Sequence, residues 1–380
     1  MGTNKHELKN SRDQFLELVR AGLWPEREFN SSRVQEFKDV DWEDVYRLAE
    51  EQSVVGLIAA GIDSLGDKLN IPLELKLQII GEALQVELQN KEMNAFVARL
   101  IEKLRKEDVY AVLVKGQGIA QCYEKPLWRA SGDVDLLLSD DNYEKAKKVL
   151  IPLAEEVESE YKAFKHQGMT MKGGFVVELH GTLHSRLSKR VDKVIDEAQK
   201  SVFYGGEVRS WMNGNTTVFL PSPDNDVIFV FTHILHHFFI EGVGLRQICD
   251  WCRLLWTYRE KLDKKLLEQR LKKAGIISEW RAFAALAVDW LGMPVEAMPL
   301  LNVNDDLNLN KSQKRKADRI MEFILESGNF GHNRQAASGK LHSVWLKTKD
   351  FARHARVFPL DSIKFFFHFV GNGLALANER

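Results

Sequence analysis

The sequence predicts an α+β protein, a mixed sheet with flanking helices set between N-terminal and C-terminal helical regions. Three observations carry that expectation. Apolar residues recur at helical spacing through ELKLQIIGEALQVELQNKEMNAFVARLIEKLRKEDV. The pattern changes at YAVLV (110–114), a short β-rich apolar run closed by Lys-Gly-Gln-Gly. From DNDVIFVFTHILHHFFIEG onward the helical spacing returns. The expected units are a helical region over 1–108, a core over 109–220 and a helical domain over 221–380.

In the first unit Asp41 is placed to cap a helix that opens DWEDVYRLAEEQSVVGLIAAGI. In the core, YAVLV reads as a strand that breaks into a turn, GIAQCYEK as a short helix and VDLLL as a buried strand. DDNYEKAKKVLI reads as a helix started by Ser139 or Asp140. EVESEYKAF and HQGMTMK follow, and Gly173-Gly174 offers a hairpin turn into FVVELHGTL. YGGEVRSWMNGNTTVFLPSPD reads as a polar, glycine-rich passage before the last helical region, and no fixed-period repeat is present.

Bulk properties narrow the class. A chain of 380 residues with 44% apolar and 28% charged residues is long enough for a substantial core and has ordinary globular composition. Lys+Arg 53 against Asp+Glu 54 gives a net charge of -1, which disfavours a nucleic-acid partner without closing off a local basic patch. Three cysteines without a framework spacing fit a reducing, cytoplasmic setting. The N-terminal stretch MGTNKHELKNSRDQFLELV lacks the apolar core of a secretory signal. The most apolar segment, IKFFFHFVGNGLALA, is interrupted by Lys364, His368 and Asn372 and reads as a core helix, so no integral membrane association is expected.

The chemistry-bearing stretch is RASGDVDLLL. Residues i and i+2 of a strand share a face roughly 6.6 Å apart, so Asp133 and Asp135 converge while Val134 and Leu136 pack behind them. Two acids at a strand edge can equally be solvated or cap the next helix, and an isolated Asp-x-Asp is weak evidence. Its surroundings sharpen it. Lys115-Gly116-Gln117-Gly118 lies upstream at a strand-to-helix turn, where backbone N–H groups can meet an anion. A third acid, Glu178, shares a face with Val176 and His180 on a later strand. Three carboxylates can hold two Mg²⁺ ions about 3.5–4 Å apart, an arrangement suited to a nucleoside triphosphate and an attacking hydroxyl.

LVKGQGIAQCYEKPLWRASGDVDLLL resembles the signature of the nucleotidyltransferase superfamily related to DNA polymerase beta. More narrowly, the Lys-Gly start, the Tyr before the acid pair and the Arg-x-x-Gly-Asp-x-Asp-Leu-Leu form resemble an uncharacterised bacterial nucleotidyltransferase family, over roughly residues 40–260. VDWEDVYRLAEEQSVVGLI, VVELHGTLH and HILHHFFIEGVGLRQICDWCRLL are similar to its flanking helices and third-acid strand.

The resemblance implies a nucleotidyltransferase fold for the core and a Mg²⁺-dependent enzyme, with Mn²⁺ as a substitute ion. It would move a nucleoside monophosphate from a nucleoside triphosphate donor to a hydroxyl acceptor and release pyrophosphate. Asp133 and Asp135 would be the metal-binding pair, and Glu178 the third acid and a general base. One departure is Gln117, where the superfamily has a serine. Phosphate contact would then rest on the backbone of Gly116, Gln117 and Gly118 and on Lys115, which could equally be a solvated surface lysine. Arg129 could hold a phosphate or pair with a neighbouring acid. His180 and Arg246 are assigned to the nucleotide cleft, with a helix ion pair between Arg246 and Asp250 as the alternative for the latter. Two other functions stand beside this one: an idle fold that binds a nucleotide or a partner protein, and a toxin-like transferase acting on tRNA, against which the near-neutral charge argues.

His233, His236 and His237, with Cys249 and Cys252 at C-x-x-C spacing, raise a zinc site. Both segments read as continuous helix, so the histidines are expected to line the nucleotide cleft or satisfy buried hydrogen bonds, and the cysteines to pack in the core. The basic stretch LKTKDFARHARVFPLD could touch an acceptor or an anionic membrane, or form a solvated helix face.

Overall fold

The computed structural model describes residues 5–25, 40–66, 69–240, 242–301, 309–329 and parts of 351–365. The segment IKFFFHFVGNGLALA lies largely outside the described residues, as does the first part of LKTKDFARHARVFPLD; of the latter, residue 351 and residues 353–359 are described, with 353–357 helical.

The chain opens with α1 (Lys5–Leu23), α2 (Trp42–Glu51), α3 (Val55–Leu65) and the 33-residue α4 (Leu73–Arg105). Asp41 caps α2, its carboxylate accepting from the Asp44 N–H at 3.1 Å. The helix started there stops at Glu51, because Ser53 takes a φ of 55° and turns the chain before α3.

The core is a seven-stranded mixed sheet ordered β3-β4-β5-β2-β1-β7-β6. It begins with β1 (Val112–Val114), a one-turn α5 (Gly116–Ala120) and β2 (Asp133–Leu137). The helix α6 (Asp140–Leu150), with Ser139 at its N-cap, then leads to β3 (Ala154–Val157), β4 (His166–Met171) and β5 (Phe175–His180). After α7 (Lys189–Tyr204) come β6 (Val208–Asn213) and β7 (Thr216–Pro221). β2 lies antiparallel to β1 and parallel to β5, and β7 runs parallel to β1.

The β6–β7 hairpin corrects the sequence reading, which saw a polar passage there. Its signal was Gly214-Asn215 between two alternating runs: Gly214 has a φ of 60°, and Asn213 pairs with Thr216 across the turn. Val218 and Leu220 of β7 pack in one core and Phe219 against the other, but that short apolar run follows a polar Asn-Gly-Asn-Thr-Thr start, and β6 is the exposed edge.

Both faces of the sheet are covered, which is why Val134, Leu136, Leu137 and Leu138 are all apolar around the buried Asp135. Val134, Leu136 and Leu138 pack with Tyr143, Leu150 and the Met93–Leu104 part of α4. Leu137, Val112 and Val114 face the other core, built with α1–α3, α7, α8 (Pro223–Ile240) and α9 (Leu245–Tyr258). The helices α10 (Lys264–Ala274), α11 (Ile277–Asp289) and α12 (Lys311–Ser327) complete that layer. No helix among the described residues is long and apolar enough to cross a membrane.

Candidate active site

Three strand ends meet at the mouth of the sheet. Val114 of β1 is in register with Asp135 of β2, and Asp135 with Glu178 of β5. The residue after Val114 therefore enters the site. Lys115 has a φ of 56° and Gly116 a φ of 36°. A lysine held there costs on the order of 1–3 kcal/mol and persists only when its surroundings fix it. What fixes it is Asp135, whose Oδ1 lies 2.9 Å from Lys115 Nζ.

Oxygens of Asp133, Asp135 and Glu178 lie within 4.8 Å of one another. Their charge states differ for identifiable reasons. Burial works against ionisation of Asp135, yet Lys115 and a 2.8 Å hydrogen bond from His180 Nε2 outweigh it and lower its pKa. The negative charge of Asp135, then burial, then Glu178 raise that of Asp133. Glu178 is held well below the usual carboxylate range: burial opposes, but His166 and His180, at 3.2 and 3.3 Å, and Lys115 prevail. The His180 imidazole is raised, since Asp135 and Glu178 overcome its burial. Asp133 thus feels its like-charge neighbours although Lys115, His166 and His180 counter them in part, and this all-oxygen set fits a hard divalent cation.

A cavity of about 230 Å³ opens from these acids toward α8 and α9. Lys115, Gly116, Arg129, His233 and Arg246 line it. Arg129 forms a buried fork on Asp250, with Nη2–Oδ2 at 2.6 Å and Nε–Oδ1 at 2.9 Å, and the Tyr123 hydroxyl donates to the same carboxylate at 2.8 Å. Of the two readings for Arg129, the ion pair is therefore present. Asp250 is engaged across the cleft by Arg129, while Arg246 donates to the Ala130 carbonyl at 3.0 Å. Burial, then the nearby Arg129, lowers the Arg246 pKa.

Not every expected residue reaches the cleft. Gln117 is buried and turned away, donating from Nε2 to Asn90 Oδ1 at 2.9 Å. Gly118 packs on β7, where a Cβ would come 2.8 Å from Leu220 Cδ2. His233 and His237 line the cleft with Nε2 atoms 3.0 Å apart, and His236 Nδ1 meets the Ser185 carbonyl at 2.6 Å. Burial, then Lys115 and His237, drives the His233 pKa well down, so this ring is neutral. Cys249 and Cys252 are buried core residues, and among the described residues neither joins a metal-ligand cluster.

Two contributors escaped the sequence reading. Asn90 of α4 donates to the carbonyls of Leu127 and Arg129 at 2.7 and 2.8 Å, fixing the loop that presents Arg129. No local pattern marks a mid-helix asparagine for that task. His166 stands opposite His180, and the Gly173-Gly174 turn did contain that signal, since the same pairing joins Met171 to Phe175.

A family model described as an uncharacterised nucleotidyltransferase matches residues 38–292. No curated protein and no solved structure matches the chain at a significant level.

Proposed function

Because the chain belongs to this nucleotidyltransferase family, we propose that it transfers a nucleoside monophosphate from a nucleoside triphosphate to a hydroxyl acceptor, with pyrophosphate leaving. The observation that carries this reading is the convergence of Asp133, Asp135 and Glu178 beside Lys115 in one cleft. Asp133, Asp135 and Glu178 would hold Mg²⁺ or Mn²⁺, which when bound supplies charge neutralisation to the triphosphate. Lys115, released from Asp135, reaches the leaving phosphates, and Arg246 supports the same charge from the opposite wall. Glu178 is ionised and its side chain 28% exposed, which suits a metal ligand better than the general base that the resemblance implies, because a carboxylate held so far below its usual range is a weak base. The helical layer and the buried Arg129–Asp250 pair shape the cleft and limit water.

A second reading has one observation in its favour. Asp135 is already satisfied by Lys115 and His180, as suits a fold that binds a nucleotide without turning it over.

Donors labelled at the α- or the γ-phosphate, incubated with Mg²⁺ and fractionated cell extract, separate the possibilities. Nucleotidyl transfer moves the α-label to an acceptor, leaves the γ-label in pyrophosphate, and falls at least about 100-fold in Asp133→Asn and Asp135→Asn. Transfer of the γ-label, or full activity in both variants, would contradict the proposal.

A further inference from the structure

His166 and His180 face each other across the β4–β5 pair, with ring centroids 4.9 Å apart. Their Nε2 atoms lie 3.2 and 3.3 Å from one and the same oxygen, Glu178 Oε2. Those separations are long for charge-assisted hydrogen bonds, which run about 2.7–2.9 Å; His180 Nε2 also lies 2.8 Å from Asp135 Oδ1, a contact that an ion on that nitrogen would replace. The two longer separations match something else. Ligands bound at about 2.0–2.1 Å around a tetrahedral ion stand about 3.3–3.4 Å from one another along each edge.

We propose that His166, His180 and Glu178 form a second metal site, selective for a borderline divalent ion such as Zn²⁺ or Co²⁺ over Mg²⁺. Two imidazoles and one carboxylate make the nitrogen-rich donor set that first-row transition ions prefer and Mg²⁺ does not. Oxygens alone serve the neighbouring set of Asp133, Asp135 and Glu178, so the two positions differ in ion type and share one carboxylate.

The site has an entry path and room for a further ligand. A second cavity, of about 220 Å³, adjoins the one that runs toward Arg129 and shares Lys115, Glu178, His233 and His237 with it. His166 and His180 also line it, and it continues past Phe164, His184 and His236. Three protein ligands facing a cavity describe an ion with an open position rather than a closed structural site. Glu178 would then lie between two cations, and carboxylates do bridge ions in two-metal sites about 3.5–4 Å apart. The inference does not rest on nucleotidyl transfer, since the histidine pair and Glu178 would bind a metal with or without turnover.

The test is a titration of the chelator-treated full chain with Co²⁺, read by visible d–d absorption and with no substrate present. The expected result is an intense, low-coordination spectrum that saturates near one equivalent and survives millimolar Mg²⁺. Asp133→Asn should keep it. His166→Gln should weaken binding at least about tenfold, with circular dichroism confirming the fold. His166→Cys should restore binding and add a thiolate-to-cobalt charge-transfer band, which a purely structural histidine would not produce. A weak six-coordinate spectrum, loss of Co²⁺ to Mg²⁺ or in Asp133→Asn, or no change in His166→Gln would each overturn the proposal.

Discussion

Lys115 Nζ lies 2.9 Å from Asp135 Oδ1, so the chain supplies its own cation to one acid of the pair, while among the described residues Asp133 has none of its own at that distance. A metal bound at the proposed site would compete with the ammonium for the same carboxylate.

Replacing the lysine should expose that competition. Lys115 is partly exposed and Asp135 keeps His180 when the ammonium is removed, so the loss is that of a hydrogen bond to a charged group, about 1.5–3 kcal/mol. Lys115→Met should therefore lower the unfolding free energy of the metal-free protein by about 2 kcal/mol. Added Mg²⁺ should restore more stability to the variant than it adds to the wild type. Urea melts with and without Mg²⁺ measure both, and a variant indifferent to Mg²⁺ would argue against shared use of Asp135.

The loop that carries Arg129 depends on Asn90 in α4. Asn90→Ala leaves two carbonyls and the Gln117 amide without that partner, a loss of about 1–3 kcal/mol. Donor binding should weaken along with stability, since Arg129 and the acid pair follow directly in the chain. Nucleotide affinity measured well below the variant's melting temperature separates the two effects.

The raised pKa of His180 gives a pH signature for the metal-free protein. Burial opposes, but Asp135 and Glu178 hold the folded pKa above the unfolded value. Its contribution is therefore fully present below about pH 6.5 and is lost as pH rises through the folded pKa. The lowered acids, Asp135 and Glu178, contribute above about pH 4 and are constant across that window. The melting temperature should fall as pH rises above neutral, and His180→Gln should flatten the slope. A proton on His180 also keeps it hydrogen-bonded to Asp135, so Mg²⁺ stabilisation should grow over the same interval.

Much of this was legible in the sequence, and the reasons differ by residue. Asp41 and Ser139 announced helix starts, and Val134 with the Leu136–Leu138 run announced a strand covered on both faces. The convergence of Asp133, Asp135 and Glu178 followed from strand periodicity together with a family resemblance. What stayed hidden depended on pairing between distant segments. Arg129 meets Asp250, 121 positions away, and Gln117 meets Asn90, 27 positions away; neither partner is encoded in its own neighbourhood. The β6–β7 hairpin was hidden for another reason, because an exposed edge strand has only one apolar face to show.

The central claim is a metal-dependent nucleotide site built on Asp133. Its most direct test is thermal melting of wild type and Asp133→Asn with ATP, GTP, CTP or UTP, each with Mg²⁺ and with EDTA. A ligand at a hundred times its Kd adds about 2.7 kcal/mol to the native state, which for a chain of this size should raise the melting temperature by a few degrees. The expected result is such a shift with at least one nucleotide, present with Mg²⁺, absent with EDTA and absent in Asp133→Asn. A shift that ignores both EDTA and the substitution, or no shift with any nucleotide, would contradict it.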